Sequence, residues 1–288
     1  MKEAVRTWRI IDILKVSEKL LGEKGVENPR LNAELLLCNT LNTERIKLYL
    51  DFEKPLTQFE IDDYRSKMKR RLNREPLQYI TGHTGFYGMT FRVNPSVLIP
   101  RPETELLVEK SLQFIKEQKL ENPKILEIGT GSGCISIAVA KNIACDIDTI
   151  DISDDSLIVA KENSDSNGTS SRITFHKKDI TKNIDSFTEY DLIISNPPYI
   201  GKDGIPGLQE EIRNYEPLNA LSDGNDGMDF YRKIIEIAGR SADITKLLLE
   251  IGDGKKEKIE SFLKENNITK FEFYKDLLNI NRVVNIEI

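Results

Sequence analysis

From Lys124 onward, short unbroken apolar runs alternate with stretches of helical spacing. No other feature limits the fold as much. The runs read as strands: "KILEI" (124–128), "DIDTI" (146–150), "RITFH" (172–176), "DLIIS" (191–195), "KLLLEI" (246–251), "KFEFY" (270–274) and "RVVNIEI" (282–288). Strands that are apolar on both faces and separated by helices need a parallel sheet covered on both sides. Only a short gap separates the last two, which predicts an antiparallel pair at one edge. The expectation is an α/β chain with a Rossmann-like seven-stranded sheet.

The front of the chain follows a different rule. The spacing predicts a helix capped by Thr7, with apolar positions Ile10, Ile11, Leu14, Leu20 and Leu21 and closed by Gly22 and Gly25. Asn28 reads as an N-cap with Pro29 at the first helical position. "TQFE" (57–60) reads as a capping box before a helix running towards Arg74. These elements predict a small bundle, with Trp8 in its core. "TGFYGMTFRVNPSVLI" then predicts a β-hairpin, and His83 before it reads as structural. The expected division is a helical domain at 1–82, a hairpin linker at 83–100 and an α/β domain at 101–288.

Composition narrows the function. The first 80 residues hold 16 Lys and Arg against 13 Asp and Glu, and the remainder 25 against 34, which makes the net −6. An acidic body argues against a protein that mainly grips nucleic-acid phosphates. The basic stretch "KMKRRLNR" (67–74) can either steer an acidic partner or form a solvated helix face. Cys38, Cys134 and Cys145 are unpaired in spacing and His83 and His176 stand apart, so no metal cluster is legible. The N-terminus lacks the long apolar core of a signal peptide, and no run approaches a membrane span of about 20 residues. The expectation is a soluble cytoplasmic protein.

Two motifs carry chemistry. In "LEIGTGSG" (126–133) a strand enters Gly129, Thr130, Gly131, Ser132 and Gly133 and a helix follows. Such a turn lets a ligand approach backbone N–H groups. Its G-x-G-x-G spacing, with Cys134 where a dinucleotide fingerprint has its third glycine, counts against NAD. Glu127 before the turn would repel a pyrophosphate and suit a cationic ligand. Asp151, ending the second strand, can accept both hydroxyls of a ribose or belong to the cap begun by Ser153. Asp179 after the third strand can hold an adenine amino group, with Ile180 against the ring.

The second motif is Asn196-Pro197-Pro198-Tyr199, at the tip of the fourth strand. A carboxamide or aryl amine is a poor nucleophile because its lone pair is delocalised. To react it must be turned and held by acceptors on both N–H bonds. The Asn196 side-chain oxygen and the Pro197 carbonyl can be those acceptors, the prolines fix the loop, and Tyr199 can lie on a planar group. The electrophile that fits Glu127, the glycine turn and Asp151 is the sulfonium of S-adenosylmethionine. Transfer then depends mainly on alignment.

With these residues in place, the chain resembles the class I S-adenosylmethionine-dependent methyltransferases, and among them the release factor glutamine methyltransferases of the HemK type. "EPLQYITGHTGFYG", "VLIPRPETE", "LEIGTGSG", "IDIS", "SNPPYI", "YEPLNAL" and "DGMDFYRKI" follow that family's order. The resemblance implies methylation of the glutamine amide nitrogen in the Gly-Gly-Gln tripeptide of peptide chain release factors 1 and 2, with S-adenosylhomocysteine as product. It implies donor contacts at Gly129 to Gly133, Asp151 and Ile180, and substrate contacts at Asn196 to Tyr199. Arg101, Pro102 and Glu103 to Glu105 are implied near the cofactor mouth, Glu216 and Pro217 behind the loop, and the bundle as docking site. The tail "KDLLNINRVVNIEI" departs from the family, which commonly has a glycine and a polar residue before Arg282. Two alternatives stay open: an amino methyltransferase acting on adenine N6 or another amine of DNA or RNA, and a catalytically silent binding module.

Overall fold

A computed structural model of the chain describes residues 7–182, 190–239 and 246–288. They form two compact units, one holding the chain up to Gly82 together with Gln209–Tyr215, the other His83–Leu208 together with Glu216–Ile288.

The first unit is helical: α1 (Ile10–Glu23), α2 (Pro29–Leu41), α3 (Arg45–Leu50), α4 (Gln58–Leu72) and α5 (Leu77–Thr81). Ile10, Leu14, Leu21, Leu36, Leu37, Leu48 and Tyr64 fill its core, and Trp8 packs at the margin. The capping box at Thr57 and Glu60 forms. The cap expected at Thr7 does not: Arg9 occupies the N-cap position without a side-chain cap and bonds Asp12 in the first turn instead. Asn28 precedes Pro29 as expected, but its backbone is left-handed (φ 49°) and its side chain caps nothing; a capping side chain needs an extended backbone to reach the N2 or N3 N–H.

The basic stretch is occupied inside this unit. Lys67 pairs with Asp63, Arg70 with Glu75, and Arg74 with Glu211. Arg71 is buried against Asn32 and Glu211.

The second unit opens with a hairpin, β1 (His83–Phe86) and β2 (Met89–Arg92), followed by α6 (Glu105–Glu117), β3 (Lys124–Ile128), α7 (Cys134–Asn142), β4 (Asp146–Asp151), α8 (Asp154–Asn167), β5 (Ile173–Lys177) and β6 (Leu192–Ser195). The first unit's α9 (Glu210–Tyr215) intervenes, and then come α10 (Leu218–Leu221), α11 (Asp229–Ala238), β7 (Leu247–Glu250), α12 (Lys256–Glu265), β8 (Phe271–Lys275) and β9 (Asn281–Ile286). The seven-stranded sheet runs β5-β4-β3-β6-β7-β9-β8. β3 to β7 are parallel, while β9 is antiparallel to both β7 and β8. Each predicted strand lies within about two residues of the observed one; in β3, β6 and β7 this follows from apolar runs buried on both faces, which admit little else.

Helices cover both faces, over one core around Ile125, Ile137, Val139 and Leu192 and a second around Leu126, Ile193, Tyr231 and Leu249. The hairpin packs into the first of these through Phe86 and Phe91. Asn163 of α8 bonds the main chain of Arg92 in both directions (2.7 and 3.0 Å), and Glu105 accepts from the Tyr87 N–H (2.7 Å). In the unusual tail, Asn279 takes the left-handed backbone (φ 65°) that a glycine would readily supply. Among the described residues no helix is long and apolar enough to cross a membrane.

Candidate active site

The sheet order reverses between β3 and β6, and in such sheets the crevice at the carboxyl ends of the strands is where ligands bind. Both motifs sit there. Ile128 is paired with Ser195, and the Ser195 hydroxyl donates to the Ile128 carbonyl (2.7 Å). The glycine turn and the Asn196 loop therefore leave adjacent strands side by side. A cavity of about 240 Å³ lies over them, lined among others by Gly129, Thr130, Gly131, Ser132, Asp151, Asp179, Ile180, Asn196, Pro197 and Pro198.

At the donor end, Gly129, Gly131 and Gly133 all have positive φ. Gly131 N–H donates to one Asp151 oxygen (2.9 Å) and Ser153 N–H to the other (2.9 Å). Asp151 thus serves both the turn and the start of α8, and each of its oxygens retains acceptor capacity. Ser153 caps α8 through the Ser156 N–H (3.2 Å). The Thr130 hydroxyl oxygen is buried without a partner. Asp179 closes its own turn, accepting from the Thr181 N–H and hydroxyl, and these bonds lower its pKa.

Two predicted donor residues are not on the cavity wall. A Cβ on Gly133 would stand 3.0 Å from Ile137 and 3.2 Å from Ala160, so this glycine lets α7 and α8 approach. Glu127 lies beneath the turn, 1% exposed. One of its oxygens accepts from the Ser136 hydroxyl and the other is buried unpartnered. Burial pushes this carboxyl up to about 8, and the Asp151 charge adds to the rise.

At the acceptor end, Asn196 donates its side-chain N–H to the hydroxyl of Thr104 (3.3 Å). That leaves the amide oxygen as the group not engaged by Thr104. Pro197, Pro198, Arg101 and Pro217 also line the cavity. Glu216 is buried, accepting from Arg101 (2.6 Å) and from the Ile99 N–H (3.4 Å), and so ties the segment before α6 to the one before α10.

Tyr199 is not on this wall. A Cβ on Gly252 would lie 2.6 Å from its ring, and one on Gly227 would lie 2.3 Å from its carbonyl oxygen. The turn holding Gly227 is closed by Asp223, which accepts from the Gly227 and Asp229 N–H groups (3.0 Å each). Thr104, Gly227 and Gly252 carry no recognisable spacing.

Two family models match the chain: the PrmC N-terminal domain over residues 12–82 and the methyltransferase small domain over residues 103–210. The release factor glutamine methyltransferase of Chlorobaculum tepidum is 41% identical over 238 residues, 80% of each chain. That of Geobacter sulfurreducens is 37% identical over 286 residues, 99% of this chain and 98% of the relative. Among solved structures, the human METTL16 catalytic domain in complex with the MAT2A 3′UTR hairpin 6 superposes with a TM-score of 0.56 at 15% identity, covering 70% of this chain and 76% of that one. The N-terminal domain of human METTL16 in complex with SAH gives 0.53 at 14% identity, with 93% of each covered. At such identities these two share the fold alone.

Proposed function

This chain belongs to the release factor glutamine methyltransferases, and from that premise we propose its substrate and the work of each residue. It is a methyltransferase on the class I fold. Its target is the side-chain amide nitrogen (N5) of the glutamine in the Gly-Gly-Gln tripeptide of release factors 1 and 2. Residues 101–288 carry out transfer, the hairpin at 83–100 joins them to the front of the chain, and residues 1–82 dock the release factor.

The donor end fits S-adenosylmethionine. Asp151 keeps acceptor capacity for ribose hydroxyls, the unpartnered Thr130 hydroxyl is on the wall, and Ile180 offers an apolar face beside Asp179. Bound there, the donor supplies an electrophilic methyl carbon on a sulfonium. Glu127 acts from below the turn rather than by contact.

The observation that carries the reading is the anchored amide of Asn196, with its oxygen left for the substrate, on the same cavity wall as the glycine turn. The Asn196 oxygen and the Pro197 carbonyl take the two N–H bonds of the glutamine amide and turn its nitrogen towards the methyl carbon. When S-adenosylmethionine is bound, transfer would form the N–C bond as the methyl carbon leaves sulfur, with S-adenosylhomocysteine as product and the surplus amide proton passing to solvent. Tyr199 keeps the loop in place through its packing on Gly252.

The test is transfer of a labelled methyl group to purified release factor 1 or 2, with the site located by mass spectrometry. Asn196→Ala should lower kcat by about 10²–10³-fold, as for loss of a preorganised polar group, with the S-adenosylmethionine Kd changed less than about 3-fold. Transfer to an oligonucleotide and none to either release factor would overturn the proposal.

A further inference from the structure

Tyr199 is held by two glycine turns that lie far apart in the chain. β7 ends at the buried Glu250, and two residues on Gly252 leaves room for the Tyr199 ring. Gly227, in the turn before α11, leaves room for the Tyr199 carbonyl. The loop then follows that second turn. Ile200 N–H donates to the Leu221 carbonyl (2.9 Å) and Lys202 N–H to the Asn225 carbonyl (3.0 Å), and a Cβ on Gly201 would stand 3.3 Å from the Asp226 carbonyl oxygen. Two turns that each touch one part of the loop can fix it only if their separation is itself fixed.

One side chain spans that separation. Lys255 belongs to the first turn, where its N–H donates to the Gly252 carbonyl (3.1 Å) and its carbonyl accepts from the Ile259 N–H (3.0 Å) in α12. Its ammonium reaches the second turn and donates to the Asp226 carbonyl (2.8 Å). A Cβ on Gly227 would lie 2.5 Å from that nitrogen, so the ammonium sits against the same glycine as the Tyr199 carbonyl. Lys255, Tyr199, Gly201, Asp226 and Gly252 line one cleft. The nearby carboxylates are engaged elsewhere, Asp226 by Arg232 (2.6 Å) and Asp223 by the Gly227 and Asp229 N–H groups (3.0 Å each). The ammonium therefore serves a main-chain oxygen, which fixes a position more than it balances a charge.

We propose that Lys255 is a positioning residue for methyl transfer: it clasps the two turns together and so sets where Tyr199, and the Asn196 amide three residues before it, stand. This rests on the amide-clamp reading above. Alignment is the clamp's contribution, and a displacement of about 1 Å can cost about 100-fold in rate.

The test uses methyl transfer to purified release factor, with S-adenosylmethionine affinity measured by calorimetry. Lys255→Met keeps most of the stem and removes the donor. It should lower kcat about 10-fold or more, with the Kd for S-adenosylmethionine and the KM for release factor each within about 2-fold. Lys255→Arg, which restores an N–H donor on a long stem, should recover kcat to within about 3-fold of the parent. The double variant K255M/Y199A should lose less than the product of the two single losses, because residues that share one contact network are not additive. Full kcat in K255M, no recovery in K255R, multiplicative losses, or a Kd that worsens as much as kcat falls would each overturn the inference. If Asn196→Ala retains activity, the clamp reading itself fails; if it loses activity while K255M does not, only the Lys255 clasp fails.

Discussion

The two ends of the cavity are assembled by different means. At the donor end the defining contacts are near in sequence: Gly129 N–H to the Ile150 carbonyl, and Gly131 N–H to Asp151, 20 residues on. At the acceptor end they are remote. Asn196 is anchored by Thr104, 92 residues away, and Tyr199 lies between Gly227 and Gly252. A donor end written into one β-α-β unit is fixed once that unit folds. The acceptor loop has its shape only after β7, α6 and the turn before α11 have come against it. Damage to the first should therefore appear as lost cofactor affinity, and damage to the second as lost turnover.

The strongest way to break this division is Gly227→Ala. The new Cβ would meet the Tyr199 carbonyl at 2.3 Å, and the φ of +77° is strained for any side chain. Such backbone strain costs about 1–3 kcal/mol before any clash. The expected outcome is a kcat at least about 100-fold down with the S-adenosylmethionine Kd within about 3-fold. Equal losses in both, measured by turnover and calorimetry, would show that the loop and the glycine turn form one unit.

The same contrast explains what could be read from the sequence. The glycine turn, Asp151 and the Ser153 cap follow from local spacing, as do the seven strands. Asn196 was found because its loop chemistry is unusual, not because its partners were visible. Thr104 looks like an ordinary helix-flanking threonine, and nothing near it in the chain reveals that it anchors Asn196. An aromatic ring beside two prolines invites the reading that Tyr199 lies on the planar group of the substrate. In the structure the ring faces Gly252, and a glycine that makes room for a distant ring has no local signature. The pairing of the basic stretch is illegible for the same reason, since Glu211, which occupies Arg71 and Arg74, lies about 140 residues on.

A smaller effect sharpens the donor side. Asp151→Ala removes a charged acceptor from the Gly131 and Ser153 N–H groups. Hydrogen bonds to charged groups contribute about 1.5–3 kcal/mol, so the S-adenosylmethionine Kd should rise about 10- to 100-fold. At saturating cofactor, kcat should stay within about 3-fold of the parent. A kcat loss larger than the Kd loss would place Asp151 with the acceptor machinery.

The smallest effect concerns the buried acid under each end, and it reads out in stability rather than turnover. Glu127 has an ordinary pKa of 4.5 and is pushed up to about 8 by burial; Glu250 rises to about 7 for the same first cause. Between the ordinary and the raised values the folded chain binds more protons than the unfolded one, so stability falls as pH rises. The stabilising form is the neutral acid, which is fully present below about 4.5 and lost through about 8 for Glu127. Glu127→Gln puts an amide where the protonated acid has its hydroxyl. In the cofactor-free protein its Tm should match the parent near pH 4.5 and exceed it progressively up to pH 8.5. A rise from 4.5 to about 8 corresponds to at most roughly 5 kcal/mol, so at about 2–4 °C per kcal/mol for a domain of this size the gain is several degrees or more. Curves that stay parallel across that range would mean that Glu127 is ionised in the folded chain at neutral pH. It would then act on a sulfonium as a standing charge held beneath the glycine turn.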